Sequence, residues 1–222
     1  MGEISLRRRH EPTVGVDVFE AKLGDEFLMS SLFTVAEIEL ARLGLAEVAG
    51  EALRVLVGGL GLGYTAQAVL EDSRVESLIV VEALGAVISW HERRLLPVSA
   101  ALVADERTRL VEDDFFDLMR RDPRSQDSFD AILVDIDHSP RHLLNSSHAD
   151  LYTVEGLRRV RRRLAPGGVF ALWSDDPPDA EFEALLAGVF PVCASRVVTF
   201  DNALTRGESA NTVYVARIDP TA

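Results

Sequence analysis

The sequence predicts an α/β protein built on a mostly parallel, doubly wound sheet of the Rossmann-like kind, with helices on both faces. From residue 53 onward, apolar strand-like runs alternate with segments whose apolar residues recur at helical spacing, which is typical of parallel strands joined by crossover helices. Several of these runs are continuously apolar, as expected for strands covered on both faces. Two final strand-like segments joined by a short glycine-containing loop predict an antiparallel hairpin at one edge.

Residues 1–50 differ in character and are predicted to form a small N-terminal unit of a β-hairpin and a helix. Residues 14–23 have strand character, Leu23-Gly24-Asp25 is typical of a turn, and residues 26–30 return as the second strand. Residues 34–45 then carry apolar side chains at helical spacing. We therefore expect this unit to precede a main domain of residues 51–222.

The main domain is predicted to contain the elements of the sheet in simple succession. Strands are expected at residues 53–57, 77–82, 109–112, 129–135, 168–173, 195–200 and 212–217, and helices at 65–71, 86–96, 153–164 and 180–189. Pro97 follows the second of these helices and Pro166-Gly167-Gly168 follows the third, and both are typical helix stops.

Composition excludes several classes of function. The chain has 222 residues and a formal net charge of −13, which repels phosphate backbones, so general nucleic-acid binding is not expected. No apolar run approaches the roughly 20 residues that a membrane span needs. The single cysteine, Cys193, permits no internal disulfide and favours a reducing compartment. We expect a cytoplasmic protein that binds neither nucleic acid nor membrane.

The strongest chemical signal is the glycine-rich run Gly58-Gly59-Leu60-Gly61-Leu62-Gly63, between the first core strand and its helix. Glycines let the backbone turn tightly and approach a ligand closely, and the following helix offers free N–H groups and a positive dipole end. Gly59, Gly61 and Gly63 are spaced more tightly than the glycines of a dinucleotide-binding loop. The spacing therefore favours a nucleoside with an amino-acid tail and disfavours a nicotinamide dehydrogenase.

Acidic residues follow the next two strands. Glu82 ends the second core strand, about 20 residues after the glycine loop, where a carboxylate can accept hydrogen bonds from ribose hydroxyls. Asp113 and Asp114 follow the third strand, where an acid could accept from the adenine amino group. Open α/β sheets bind ligands at the carboxyl ends of their strands. We therefore predict a nucleoside site that comprises Gly58, Gly59, Gly61, Gly63, Glu82, Asp113, Asp114 and, after the fourth strand, Asp135.

Three segments carry a resemblance to a known family. LRVLVGGLGLGYTAQAVLEDSRVESLIVVE (53–82), FDAILVDIDHSP (129–140) and LYTVEGLRRVRRRLAPGGVFALW (151–173) resemble the core of the spermidine synthases. These are the aminopropyltransferase branch of the class I S-adenosylmethionine-dependent methyltransferase fold. The resemblance implies a seven-stranded sheet, S-adenosylmethionine or decarboxylated S-adenosylmethionine as cofactor, and a homodimer.

The sequence departs from the family's motifs on the polyamine side of the site. An aspartate of the family's glycine loop meets the propylamine arm, and Gly61 stands at that position. The glutamate of the family's N-terminal helix matches Glu37, but Val35 stands where a tyrosine is expected. Because these groups would hold the arm and the diamine, their absence favours methyl transfer over aminopropyl transfer.

The family's Asp-Ser-Ser-Asp-Pro motif corresponds to residues 135–140, and Asp135 matches its catalytic carboxylate. The second carboxylate falls on His138, or on Asp137 if the loop is shifted by one residue. Asp135 could orient or deprotonate a nucleophile, and His138 could act as a base near neutral pH. A loop anchor and an exposed loop histidine are the respective alternatives. We predict Asp135, Asp137 and His138 as catalytic residues and expect no metal, since no recognised ligand motif is present.

The first functional hypothesis is an S-adenosylmethionine-dependent transferase that methylates a small-molecule acceptor, with an amine as one acceptor class. The alternative is an aminopropyltransferase that uses decarboxylated S-adenosylmethionine and a polyamine. A further alternative is a protein that binds S-adenosylmethionine without catalysis. Both transfers displace a sulfide at a carbon next to a sulfonium ion, so positioning and deprotonation of the nucleophile carry the catalysis.

Overall fold

A seven-stranded, mostly parallel sheet forms the centre of the molecule. The computed structural model describes residues 3–124 and 128–220. Their strands are β1 (Ile4–Glu11), β2 (Val16–Leu23), β3 (Glu26–Ser30), β4 (Leu53–Gly58), β5 (Val75–Glu82), β6 (Thr108–Glu112), β7 (Phe129–Val134), β8 (Leu164–Ser174), β9 (Val192–Asn202) and β10 (Gly207–Arg217). The order in the large sheet is β6-β5-β4-β7-β8-β10-β9, and the β9–β10 hairpin adds the antiparallel edge. The predicted fold class is confirmed.

Helices cover both faces of this sheet. They are α1 (Val35–Ala46), α2 (Tyr64–Glu71), α3 (Gly85–Glu92), α4 (Ser99–Ala104), α5 (Phe115–Arg120), α6 (Val154–Arg161) and α7 (Ala180–Ala187). The buried residues of α1 to α4 join one apolar cluster and those of α5 to α7 join another. A doubly wound sheet separates its core into two layers in this way.

The continuous apolar runs of the central strands reflect these two layers. Val55 and Val57 of β4 face the cluster that contains α1 to α4, while Leu56 faces the other cluster. All three side chains are at most 1% exposed. Because successive strand residues point to opposite faces, a strand between two helical layers must be apolar throughout.

The N-terminal unit contains a strand that the sequence analysis missed. β1 pairs antiparallel with β2 over its whole length, and β2 pairs with β3, so the predicted hairpin is part of a three-stranded sheet. Basic residues conceal the strand character of β1. Arg7 and Arg9 lie on one face of β1, and both donate to the carboxylate of Glu20 on β2 at 3.1 and 2.7 Å.

Two short helices were also missed, and no described helix is long and apolar enough to cross a membrane. α4 and α5 have six residues each, too few for an apolar periodicity to be read. α5 begins at a local cap, where the Asp114 side chain accepts from the backbone N–H groups of Phe116 and Asp117. This cap satisfies two of the N–H groups that a helix start leaves unpaired.

Candidate functional site

The glycine loop connects the end of β4 with the start of α2, and three of its glycines, Gly59, Gly61 and Gly63, have positive φ angles. Gly59 has a φ of +92°, and a Cβ there would collide with the backbone carbonyl oxygen of Asp135 on the neighbouring strand end. Gly61 has a φ of +48°, and a Cβ there would lie 2.9 Å from the sulfur of Met29. The loop thus turns in a backbone region that favours glycine and lies against the residue that follows β7.

His91 of α3 forms a hydrogen bond with the backbone of the glycine loop. Its Nε2 lies 3.0 Å from the carbonyl oxygen of Gly61, and its Nδ1 lies 3.1 Å from the hydroxyl of Ser99. Burial lowers the pKa of the His91 imidazole, so the ring is neutral near pH 7. Since a carbonyl can only accept, Nε2 carries the proton and Nδ1 accepts from Ser99.

Glu82 lies at the end of β5 beside this loop. One carboxylate oxygen accepts from the backbone N–H of Leu60 at 3.0 Å, and the other from that of Leu84 at 2.8 Å. Burial raises the pKa of the Glu82 carboxyl, and the backbone N–H groups oppose that rise. Each carboxylate oxygen has a second lone pair, so Glu82 can still accept from the hydroxyls of a ribose.

A cavity of about 160 Å³ lies over Glu82 and the loop. Asp114 lines this cavity, whereas Asp113 does not. Its lining includes Gly59, Gly61, Glu82, Leu84, Asp114, Phe115, Asp135, Ile136 and His148. Asp113 is paired instead with the Arg121 guanidinium at 2.7 and 2.9 Å, which holds the pKa of its carboxyl below the usual range. The mostly apolar walls with a few polar groups suit a nucleoside.

A larger cavity, of about 550 Å³, adjoins the other side of the loop and is lined by carboxylates. Glu37 comes from the first turn of α1, Asp135 follows β7, and Asp175 follows β8. No lysine or arginine is among the described residues that line this cavity. The arrangement therefore suits positively charged groups.

Thr65 links two of these acids. Its hydroxyl lies 2.7 Å from the Asp135 carboxylate and 3.2 Å from the backbone carbonyl oxygen of Glu37. Burial raises the pKa of the Glu37 carboxyl to about 8, with a further contribution from the charge of Asp135. Burial also raises the pKa of Asp135, to about 6, against the opposing hydrogen bond from Thr65. Near pH 7 the pair thus shares a proton that resides mainly on Glu37.

Asp137 occupies a different environment from Asp135, although it is two residues away. It is 3% exposed and lines neither cavity. Its carboxylate accepts from the Leu144 backbone N–H at 2.8 Å, from His148 Nδ1 at 2.8 Å and from the Tyr152 hydroxyl at 2.9 Å. Asp137 thus holds together the loop that leads from β7 to α6.

His138 is placed in the larger cavity, at its rim. Its Nε2 lies 3.7 Å from a carboxylate oxygen of Glu26 on β3. Asp135 and His138 therefore share one cavity, whereas Asp137 is turned away from it.

Comparisons with known proteins agree with this architecture. No protein-family model matches the chain. Over 130 residues the chain is 31% identical to the polyamine aminopropyltransferase of Mycobacterium tuberculosis, which covers 59% of this chain and 24% of that protein. Over 119 residues it is 33% identical to the polyamine aminopropyltransferase of a Ruegeria species, which covers 54% of this chain and 38% of that protein.

Solved structures extend the likeness over most of the chain. Spermidine synthase from Thermotoga maritima has a TM-score of 0.73 at 22% identity, over 97% of this chain and 70% of that one. The chain has the fold of the spermidine synthases. A spermidine synthase in complex with the transition-state analogue AdoDATO has the same TM-score and identity, over 97% of this chain and 71% of that one. Human methyltransferase-like protein 13 in complex with SAH has a TM-score of 0.58 at 19% identity, over 84% and 81%.

The resemblance to the spermidine synthase-like family is thereby confirmed, and the names of these proteins agree with the predicted transferase. The sequence matches span about a quarter and just over a third of the length of the two curated relatives. Their names favour the aminopropyltransferase alternative over the methyl transfer that the sequence analysis put first.

The sequence analysis gave too little weight to some residues of the acidic cavity. Glu37 was noted only as a family match. The position of Asp175 after a core strand, like that of Asp135, predicts a place at the ligand edge where it could bind an amine, with a solvated turn as the alternative. Phe33 and Phe200 also line the cavity, with ring centroids 5.7 Å apart. The local sequence does not predict that these two rings meet, because Phe33 precedes α1 and Phe200 lies on the edge strand β9.

Proposed function

We propose that the protein transfers the aminopropyl group of decarboxylated S-adenosylmethionine to an amine acceptor. One observation carries the proposal: Glu37, Asp135 and Asp175 converge on the cavity beside the glycine loop, and no lysine or arginine is among its described lining residues. Both the donor arm and the acceptor are cations in this reaction. The names of the relatives and of the structural neighbours support the same class of transfer.

The charges of the cavity favour the decarboxylated donor over S-adenosylmethionine. The extra carboxylate of S-adenosylmethionine would face the same acids. Two like charges about 5 Å apart repel by about 3 kcal/mol at an effective dielectric constant of about 20. The Leu60 N–H of the glycine loop, which could offset this repulsion, is already bonded to Glu82. The donor arm that fits is therefore an ammonium without a carboxylate.

The nucleoside half of the donor fits the smaller cavity. Gly59 leaves the backbone bare, since a Cβ there would strike the carbonyl oxygen of Asp135. Glu82 would accept from the ribose hydroxyls, and Asp114 would lie against the base. Decarboxylated S-adenosylmethionine supplies a sulfonium whose adjacent propyl carbon forms the C–N bond as the C–S bond breaks, leaving the electron pair on the sulfur of methylthioadenosine.

The carboxylates of the larger cavity have two roles, proton transfer and binding of the cationic groups. Asp135 takes the proton from the attacking ammonium group, so that the amine nitrogen has a free electron pair. Its raised pKa makes it a stronger base than an exposed aspartate while it is still mostly ionised at neutral pH. Asp175 pairs with the ammonium of the donor arm, Glu37 lies beside it, and His138 lies at the rim.

The absence of an acid at position 61 does not weigh against this function. A Cβ at this position would lie 2.9 Å from the sulfur of Met29, so a longer side chain would crowd the Met29 side chain. Any acid that serves the arm must therefore come from elsewhere, and Glu37 and Asp175 are placed to serve it. Methyl transfer remains the outcome that the test below must distinguish. The predicted homodimer and cytoplasmic location stay predictions.

Calorimetric titration with decarboxylated S-adenosylmethionine, S-adenosylmethionine and methylthioadenosine tests the proposal. We expect the decarboxylated form to bind at least about tenfold more tightly than S-adenosylmethionine, which corresponds to about 1.4 kcal/mol. We also expect release of methylthioadenosine when an amine is added. Preference for S-adenosylmethionine would return the assignment to methyl transfer, and binding of none of the three would overturn the nucleoside site itself.

A further inference from the structure

The larger cavity has two chemically different ends. At its inner end Glu37, Asp135 and Asp175 lie where strands β7 and β8 end and helix α1 begins. At its outer end Phe33 and Phe200 lie with ring centroids 5.7 Å apart. The cavity thus offers negative charge at one end and aromatic surface at the other.

The β9–β10 hairpin sets the distance between these ends. Asn211 of β10 donates to the Asp175 carboxylate at 2.7 Å. Ser209, two residues earlier on β10, lies opposite Phe200 of β9. Alternate residues of a strand lie on the same face, about 7 Å apart. The aromatic end is therefore separated from Asp175 by about the length of a short alkyl chain.

The outer end provides no acid among the described residues of its lining. Apart from His138 at the rim, its polar groups include the amide of Asn202 and the hydroxyl of Ser209, and Asn202 donates to that hydroxyl at 2.8 Å. Glu26 is the acid next to Phe27, but it lies 3.7 Å from His138 Nε2 and does not line the cavity. A second ammonium group at this end would exchange water for aromatic rings and uncharged polar groups, with no carboxylate to pair with. Cation–π attraction is weaker than the cost of removing an unpaired charge from water.

Since burial raises the pKa of Glu37 to about 8, the inner end carries two negative charges near pH 7, those of Asp135 and Asp175, and these match two ammonium groups. The aminopropyl arm of the donor needs one partner, and the reacting nitrogen of the acceptor needs Asp135. An acceptor with an apolar body would place that body against Phe33 and Phe200, where burial of apolar surface is favourable. An acceptor with a second charge would gain nothing there.

We infer that the acceptor is a monoamine: a single ammonium group on an apolar or aromatic body, rather than a linear diamine or polyamine. This inference rests on the proposed aminopropyl transfer and specifies its acceptor. In the reaction the amine nitrogen forms the bond to the propyl carbon, the C–S bond breaks with its electrons on sulfur, and the proton of the ammonium passes to Asp135.

A matched pair of amines tests the inference. Pentylamine and putrescine have the same number of non-hydrogen atoms and differ in a terminal methyl against a terminal ammonium. Methylthioadenosine release is measured with each amine and decarboxylated S-adenosylmethionine, with phenethylamine as an aromatic third acceptor. We expect kcat/KM for pentylamine and for phenethylamine to exceed that for putrescine at least tenfold. Equal values, or a preference for putrescine, would overturn the inference.

A variant of the outer end sharpens the test. Phe200→Asp places a carboxylate at the outer end, on an exposed-edge strand that tolerates charge. We expect it to shift the preference at least tenfold toward putrescine. The matched control Phe200→Leu keeps the end apolar and should retain the preference for pentylamine. If both variants shift the preference equally, the charge at this position is not what selects the acceptor and the inference is wrong.

Binding measurements separate failure of this inference from failure of the proposed function. The amines are titrated into protein saturated with methylthioadenosine, and circular dichroism checks the fold of each variant. If methylthioadenosine binds but pentylamine does not, the inference is overturned while the nucleoside site stands. If neither methylthioadenosine nor decarboxylated S-adenosylmethionine binds, the proposed function fails, and the inference fails with it.

Discussion

The carboxylate of Asp137 lies 2.8 Å from Nδ1 of His148, eleven residues further along the same loop. The His148 ring in turn stacks on Phe116, with ring centroids 3.7 Å apart. Since His148 lines the smaller cavity, this contact connects a buried anchor with the wall of the predicted nucleoside site. Asp137 therefore acts on the site through His148 and the loop, without touching either cavity.

Replacing Asp137 should lower stability. In Asp137→Asn the amide can no longer accept from all three donors, and a buried donor left without a partner costs about 1–3 kcal/mol. We expect a fall in Tm of several degrees and weaker binding of methylthioadenosine, measured by thermal unfolding and calorimetry. An unchanged Tm together with a pure loss of kcat would show that Asp137 takes part in the reaction itself.

Asp135→Asn should lower turnover without lowering stability, the reverse of the result expected for Asp137→Asn. The asparagine oxygen can still accept from Thr65, and the substitution removes a charge whose burial raises the pKa of the aspartate. We expect Tm to be unchanged or higher at pH 8, methylthioadenosine affinity to be retained, and kcat to fall by about 10²–10⁴-fold because a general base is lost. Retention of turnover would contradict the role of Asp135 as base.

Replacing His91 should weaken binding of the donor nucleoside more than binding of the acceptor. In His91→Phe the carbonyl of Gly61 loses its donor, whereas in His91→Gln an amide N–H can replace Nε2. We expect the phenylalanine variant to bind methylthioadenosine about tenfold more weakly, which corresponds to about 1.4 kcal/mol, and the glutamine variant to recover most of that loss. Acceptor KM should change little in both variants, and equal affinities of the two variants for methylthioadenosine would contradict the proposed anchor.

Glu37 should make stability depend on pH. Its pKa in the folded protein, about 8, lies above that of an unfolded glutamate. The stability that this group contributes is therefore complete below about pH 4.3 and is lost as pH rises through 8. Glu37→Gln removes the titration, so we expect its Tm to match the native protein at pH 4.5 and to exceed it at pH 8.5. The gain should be at least about 2–4 °C, or about 1 kcal/mol for a protein of this size.

Glu39→Gln on the same helix is the control for this experiment. Glu39 forms a solvent-exposed ion pair with Arg42 at 3.2 Å, and such pairs contribute little to stability. A pH-dependent gain in Glu39→Gln equal to that in Glu37→Gln would mean that the effect does not come from the buried carboxyl.

The fold could be predicted because a strand that is buried on both faces has a continuous run of apolar residues. Val55, Leu56 and Val57 are apolar for that reason alone, and the alternation of such runs with helices defines the parallel sheet. β1 could not be recognised from its pattern, because Arg7 and Arg9 are matched by an acid on another strand. The local sequence does not show which residue of a neighbouring strand pairs with a given side chain.

The sequence could predict which residues lie at the candidate site, but it could not distinguish their environments. Strand ends located Glu82 and Asp135, since the edge of a parallel sheet follows from topology. Asp135 and Asp137 could not be separated by sequence, because partners 7 to 15 residues away decide that Asp137 is an anchor. Asp113 and Asp114 were equivalent for the same reason until Arg121 was seen to bind one of them.

The acidic lining of the larger cavity also bears on how the reaction ends. Aminopropyl transfer adds an amine to the acceptor, so the alkylated product carries one more positive charge than the acceptor did, while methylthioadenosine carries none. Glu37, Asp135 and Asp175 would therefore retain the product more strongly than the acceptor, and dissociation of the product would limit turnover. Salt weakens such attraction, so kcat at saturating substrate should rise with ionic strength even as KM for the amine worsens.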